Sequence, residues 1–447
     1  MKQYSLEGLE KLLGITKNTK LYDKCNWLIT YLFKKQMLDE RNKEKPDNFF
    51  INISRKTLSK YLGSRDYRMI IELLVSKDII KQNDKYSAGR FSKSYAFAEI
   101  GLKRERIEVE IQSAAFIKKL TKIREEKYQE AIETPLFKRI IENTAQLKIV
   151  EEKGYYKGFL FEATEEEMEN DIDPEERLKE NKHRYYRYES FYNEFKNLSN
   201  NTSVENLVQS RIYQNPIIAN SGRVYHTIAA TPRYIRHSMR HIDGDYLWEV
   251  DMSAAQPTLL ILHWLKTEVV ENTEAELLIQ LILKGGLYDY VKAHSEYFAA
   301  IEYKTRKKEI LQALYEEYTS TKRNTSLYEL FPSFMEWINR IKKEKGHTRA
   351  SYIGQSKEAE IFVEVYKELP EEMFGLIIHD SIMCLEKDTD YIKDKLIDRT
   401  KEVFPILQEY DLSNLFKTSI VSITDEDLLQ VKNERLLRAY LEKQNRT

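Results

Sequence analysis

Two short segments of the sequence hold residues able to do chemistry. They are Glu249-Val250-Asp251-Met252-Ser253-Ala254-Ala255-Gln256-Pro257 and Leu376-Ile377-Ile378-His379-Asp380-Ser381-Ile382, and each sets one aspartate at the end or crest of an apolar, β-prone run. Two aspartates brought together in this way can hold a pair of magnesium ions, the apparatus of in-line phosphoryl transfer. Taken alone, residues 247–251 predict a strand ending in a carboxylate, with residues 254–265 continuing as an apolar helix. An aspartate in that place equally suits a plain helix N-cap ahead of Pro257. The second segment is more demanding, because residues 374–384 are largely apolar except for His379-Asp380-Ser381. That pattern predicts a buried β-hairpin with a charged residue at its turn. An unpaired buried carboxylate costs several kcal/mol, so a metal or a cationic partner is expected beside it.

Cationic and polar residues flank both segments. On a helix predicted over residues 304–318, Lys307, Leu311 and Tyr315 recur every four residues and so share one face, with Arg306 and Lys308 as alternative phosphate contacts. A basic surface helix with Tyr315 packed inward is the competing reading. Arg233, Arg236 and Arg240 recur at three- and four-residue spacing, so a helix opened by Pro232 would carry them as one cationic stripe suited to phosphates, or simply as a solvated face. Gln355 opens Gln355-Ser356-Lys357-Glu358-Ala359-Glu360-Ile361, an amphipathic pattern.

Several of these motifs together resemble the family A DNA polymerases and the phage-type single-subunit RNA polymerases. Asp251 to Gln256 resembles motif A, an aspartate followed by a serine and, five residues on, by a sugar-sensing residue. Ile378-His379-Asp380-Ser381 resembles motif C, in its His-Asp-Ser rather than its His-Asp-Glu form. Ser221-Gly222-Arg223-Val224-Tyr225 resembles the Gly-Arg strand that precedes motif A. The match of Lys307 and Tyr315 to the fingers helix is looser, since no glycine stands beside Tyr315, and Gln355 resembles the glutamine-led helix at the primer terminus. The resemblance implies a palm, fingers and thumb. It implies that Asp251 and Asp380 bridge two magnesium ions, with manganese as a substitute, and that the Met252 carbonyl completes a site. Nucleotide contacts would come from Lys307, Tyr315, Gln256 and Arg306. Primer and template contacts would come from Arg223, His379, Gln355, Arg233, Arg236 and Arg240. DNA polymerases of the family usually carry glutamate where this chain has Gln256; a carboxamide keeps the bulk but can donate a hydrogen bond, so tolerance of ribonucleotides is expected.

The elements that must position these residues follow from the rest of the chain. At 447 residues with 42% hydrophobic and 32% charged content, the sequence suits a soluble, multi-domain globular protein. No apolar run reaches the ~18 residues of a membrane span, and no apolar leader follows Met1, so the cytoplasm is the default. Cys25 and Cys384 stand far apart with no Cys/His cluster, which argues against a disulfide framework or a zinc site. A net charge of −1 neither implies nor excludes nucleic acid. Near the N-terminus the pattern predicts a helix over residues 21–38, a strand at 49–53, a helix at 55–62 capped by Ser54, a turn at Gly63-Ser64-Arg65, a helix at 66–76, and strands at 79–82 and 94–97. That order is the order of a winged helix-turn-helix, with Arg65, Arg68, Arg90 and Lys93 as DNA contacts, or else of a purely structural wing. Residues 103–150 read as charged and helical, and residues 162–180 as an acidic loop that would repel phosphate.

The expected fold class is therefore α+β, a right-hand polymerase fold with an N-terminal winged-helix-like domain. Its expected parts are residues 1–102 (winged helix), 103–214 (helical thumb and linker), 215–257 (first part of the palm), 258–350 (fingers) and 351–447 (second part of the palm and a C-terminal tail). No Asp-x-Glu strand of a proofreading exonuclease is evident before residue 215. The architecture is similar to replication proteins of mobile elements, including the polymerase-based primases of staphylococcal cassette elements. The implied partners are a DNA template and primer, dNTPs or NTPs, and a small accessory replication protein. A non-catalytic DNA-binding replication or defence protein with a degenerate palm is the alternative, and a metal-dependent nuclease is a third reading disfavoured by the Gly-Arg segment and the basic helix.

Overall fold

Apolar residues on either side of the two aspartates build one antiparallel sheet in the computed structural model. The structure describes residues 2–38, 50–83, 93–149, 195–198, 203–210, 212–231, 233–268, 273–317, 321–422 and 424. It is mixed α+β, with long helices and small antiparallel sheets. Two compact units form, one from Met1–Glu133 with Glu152–Tyr213 and the other from Thr134–Glu151 with Gln214–Thr447. The region expected as a helical thumb, 103–214, is thus divided between them. Among the described residues no helix is long and apolar enough to cross a membrane.

In the first unit β1 (Lys2–Leu6) pairs antiparallel with β5 (Arg106–Glu110), and α1 (Lys20–Leu38) packs on β1. Sequence reading assigned residues 103–110 to a helix. Ile107, Val109 and Ile111 instead follow the two-residue alternation of a strand, and β1 supplies the partner that makes it one. The elements from 51 to 97 form in the expected order: β2 (Ile51–Asn52), α2 (Arg55–Leu62), α3 (Asp66–Ser76), β3 (Ile80–Asn83) and β4 (Ser94–Phe97). The sheet order is β2-β4-β3. Ser54 caps α2, its hydroxyl accepting the Thr57 N–H at 3.0 Å. Gly63, at φ 102°, makes the turn into α3. Buried Lys24 of α1 secures that turn by donating to the Leu62 carbonyl and the Asp66 carboxylate. Leu28, Leu32, Leu58, Leu62, Ile70, Leu74, Phe97 and Phe116 belong to its core, the last from α4 (Ala114–Ile132). Arg90 and the expected wing tip lie outside the described residues, as do residues 162–180.

The second unit is organised by a four-stranded antiparallel sheet of order β11-β12-β10-β13, from β10 (Leu247–Met252), β11 (Gly375–Ile378), β12 (Ser381–Leu385) and β13 (Phe416–Ile420). β11 and β12 are buried at every position, which is why they read as continuous apolar runs. Helix α5 (Pro135–Ala145) reaches this unit from earlier in the chain. Its Arg139 donates to the carbonyls of Tyr366, Leu369, Pro370 and Met373 at 2.6–3.3 Å, and Asn143 donates to the Gly375 carbonyl at 2.7 Å. These bonds hold the chain as it enters β11. Small antiparallel pairs join β6 (Leu147–Ile149) to β9 (Met239–His241) and β7 (Ile217–Ile218) to β8 (Val224–Tyr225). Between β10 and β11 run α6 (Ala255–Thr267), α7 (Thr273–Leu283), α8 (Leu287–His294), α9 (Tyr303–Tyr315), α10 (Lys322–Leu330), α11 (Pro332–Lys345) and α12 (Thr348–Glu368). Helices α12 and α13 (Thr389–Val403) pack on each other and on the sheet, and α12 also packs against α6.

Candidate active site

The register of the sheet brings the two aspartates together. Asp251 of β10 stands opposite Ser381 of β12, and Asp380 immediately precedes Ser381 in the two-residue turn between β11 and β12. That turn needs positive φ at its first residue, and His379 takes it at 55°. The Asp380 carbonyl accepts the Met252 N–H at 3.1 Å, extending the ladder past Asp251. Asp251 is therefore a strand residue and not a helix cap; the N-cap of α6 is Ala254, at φ 48°. Glu249 lies two residues back on the same face of β10, with Ser419 and Lys417 facing Glu249 and Asp251 from β13.

Burial and mutual repulsion make the ionised pair costly, a cost that a proton or a cation would offset. The Asp251 carboxyl is pushed up to about 7 by burial, then by the charges of Asp380 and Glu249, while Arg233 and Lys307 pull it down. Asp380 is likewise raised by burial, against the pull of its own backbone N–H, Arg223 and Lys307. Among the described residues no group of three or more His, Cys, Asp and Glu side chains surrounds a metal position. A pair of carboxylates suits magnesium, which keeps waters and takes substrate phosphates as further ligands.

Around the carboxylates the structure gathers several of the expected residues. Lys307 of α9 lies over the rings of Tyr303 and Tyr288, at 4.7 and 5.2 Å from their centroids. The Tyr288 phenol is pushed up to about 12 by burial, with Tyr303 and Asp380 adding to the shift. At the end of α9, the Tyr315 hydroxyl donates to Gln256 Oε1 at 2.7 Å. Gln256 Nε2 donates to Glu358 Oε2, and the same oxygen accepts from Arg223. Glu358, on α12, has a side chain only 1% exposed, and burial raises its carboxyl to about 7 against the pull of Arg223 and Gln256. One chain of bonds thus links Arg223, Glu358, Gln256 and Tyr315. His379 packs edge-on against Tyr225 with centroids 5.6 Å apart. Gln355 is half-buried on α12.

Two sets of expected contacts are placed elsewhere. Arg306 was expected to reach phosphate, yet it is 3% exposed and donates to the backbone carbonyls of Phe298 at 2.9 Å and Ile301 at 2.7 Å. Its guanidinium closes the turn before α9. Arg233, Arg236 and Arg240 form no stripe, because the helix is a single turn, Arg233–Arg236, and Arg240 lies on strand β9. Arg236 donates to the Thr231 carbonyl, and Arg240 stacks over Tyr246 at 4.3 Å. Only Arg233, with 68% of its side chain exposed and Glu249 at 3.4 Å, borders the aspartates. Pro232 lies outside the described residues.

Glu249, Tyr288 and Glu358 were not assigned from sequence. Glu358 had a signal: it falls on the face of α12 that also carries Gly354 and Ile361, and a carboxylate on a buried face needs a partner.

No protein-family model matches the chain, and no curated protein matches it either. A reading of its function therefore stands on the chemistry of the site.

Proposed function

We propose that this chain is a template-directed nucleotidyltransferase whose second unit is a polymerase palm and fingers. The observation that carries the reading is the placing of Asp251 and Asp380 at one end of adjacent antiparallel strands, with Lys307 acting electrostatically on both. Asp251 and Asp380 would hold two magnesium ions, with the Met252 carbonyl as a further ligand. When bound, such ions lower the pKa of a primer 3′-hydroxyl and neutralise the triphosphate.

The protein's own groups supply the rest. Lys307 balances phosphate charge, and the two tyrosines stacked on it keep its long side chain from wandering. Gln256 and Tyr315, bonded to each other, border the sugar. Arg223 and His379 face the primer terminus, and exposed Arg233 takes template or primer phosphate. In the first unit, α2, the Gly63 turn, α3 and the β3–β4 pair act as a winged helix, and Arg65 and Arg68 are exposed for DNA phosphates. Primer extension on a single-stranded template with magnesium or manganese, supplying dNTPs or NTPs, tests the reading. Incorporation of neither nucleotide type, with or without primer, would count against it.

A further inference from the structure

Gly354 is buried in the middle of α12, at an ordinary helical φ, so backbone freedom does not explain a glycine there. What it supplies is the absence of a side chain. A Cβ at this position would stand 2.5 Å from Gln256 Oε1, 3.5 Å from its carboxamide carbon and 3.4 Å from the Tyr315 hydroxyl. One turn further along the same face, Glu358 accepts from Gln256 Nε2. The Gln256 carboxamide is thus drawn into a notch on α12, with its oxygen over Gly354 and on the Tyr315 hydroxyl and its nitrogen on Glu358.

The bond to Glu358 also fixes which way round the amide sits. Turned over, it would set its oxygen against the Glu358 carboxylate, losing that hydrogen bond and adding a repulsion, whereas the Tyr315 hydroxyl can turn to donate or accept in either orientation. A side chain with three rotatable bonds is held this firmly only when both ends are tied, as here.

We propose that this notch sets the sugar specificity of the nucleotide site: Gly354 and Glu358 hold Gln256 back against α12, so that the 2′-hydroxyl of a ribonucleotide is admitted. The proposal rests on the nucleotidyltransferase reading, in which Gln256 and Tyr315 border the sugar. Gly354 and Glu358 act through Gln256 and are positioning residues. The second Gln256 N–H, which has no partner among the described residues, is left to donate to the ribose hydroxyl.

The test is kcat/KM for a dNTP and for the matching NTP on one primed template, with Gly354→Ala, Glu358→Gln and Glu358→Ala. Alanine favours a helix interior over glycine, and the atom it meets is the end of a flexible side chain, so Gly354→Ala is expected to fold; a thermal melt checks this. It pushes Gln256 out of the notch. NTP use is expected to fall by roughly tenfold, the scale of one misplaced methyl group in a pocket, while dNTP use falls far less. Glu358→Gln keeps an acceptor oxygen and is expected to retain most of the wild-type ratio, whereas Glu358→Ala shifts it toward dNTPs. Equal losses for both sugars, or an unchanged ratio in Gly354→Ala, would overturn the proposal. Wild-type protein that extends with dNTPs but rejects NTPs overturns it alone, whereas no incorporation of either sugar overturns the reading beneath it.

Discussion

Asp251 and Ser381 are cross-strand partners in the β10–β12 ladder, and Asp380 is the residue just before Ser381. Because side chains alternate along a strand, this register alone decides that both carboxylates meet at one end of the sheet. A slip of one residue in β10 would turn Asp251 to the opposite face. The Asp380 carbonyl helps to hold β10 in register by accepting the Met252 N–H at 3.1 Å, while the tight turn at His379, φ 55°, sets β12 against β11.

The burial of Asp251, with the charges of Asp380 and Glu249 beside it, predicts a pH-dependent stability. Asp251 has its folded pKa raised from 3.8 to about 7, so its contribution to stability is present below about pH 4 and is lost as pH rises through 7. Without divalent ions, Asp251→Asn is expected to melt at a higher temperature than wild type at pH 8 and at nearly the same temperature at pH 4. Magnesium is expected to raise the wild-type Tm at pH 8 much more than at pH 5, and to do little for Asp251→Asn. Scanning calorimetry with and without magnesium checks both signs; a magnesium effect that ignores pH would contradict them.

Arg223 and Glu358 form a buried ion pair, so removing one partner should cost more than removing both. Arg223→Met leaves the Glu358 carboxylate without its cation at 1% exposure and is expected to lose about 3–5 kcal/mol, by the usual cost of breaking such a pair. The double variant Arg223→Met with Glu358→Met is expected to recover much of that loss. Urea denaturation of wild type, Arg223→Met, Glu358→Met and the double variant gives the coupling.

How much of this was legible in the sequence differs by residue. The run around Asp380 was readable because strands buried on both faces are apolar throughout, leaving the aspartate as the exception, whereas Asp251 was readable as the carboxylate near the end of a half-buried, β-prone run. Lys307 and Tyr315 were readable because helical spacing puts both on one face. Arg306 was not: its direction depends on the turn at residues 296–301, whose Phe298 and Ile301 carbonyls capture the guanidinium. Arg240 was misplaced because the helix from Arg233 ends after one turn and the chain becomes β9, which pairs with β6, distant in sequence. Residues 106–110 were misread for the same reason, as their partner β1 lies at the other end of the unit's sequence. Glu358 showed a misplaced charge, but only the fold reveals Arg223 and Gln256 as what answers it.

Neighbouring Arg306 and Lys307 should separate cleanly in experiment. Arg306→Ala removes donors from one buried and one half-buried carbonyl and is expected to lose about 2–3 kcal/mol of stability, with the nucleotide KM of the folded fraction unchanged. Lys307→Gln is expected to leave Tm within a degree or two of wild type, on the scale of a surface change, while lowering kcat/KM by roughly a hundredfold. Steady-state kinetics beside thermal melts distinguish the two.

The proposed DNA binding by the first unit has its own signature. Replacing exposed Arg65 and Arg68 with glutamine is expected to weaken binding similarly across DNA sequences and to reduce the slope of log K against log salt by about 2, one for each phosphate no longer neutralised. Fluorescence anisotropy at several salt concentrations measures it.

The central claim is that Asp251 and Asp380 carry metal-dependent nucleotidyl transfer. Primer extension with wild type, Asp251→Asn and Asp380→Asn, on one template in magnesium or manganese, tests it most directly. Wild type is expected to extend the primer, and each variant to lose roughly a thousandfold or more in rate while still binding template. Extension by either variant at the wild-type rate, or a wild type that binds template but adds no nucleotide in either metal, would contradict the claim.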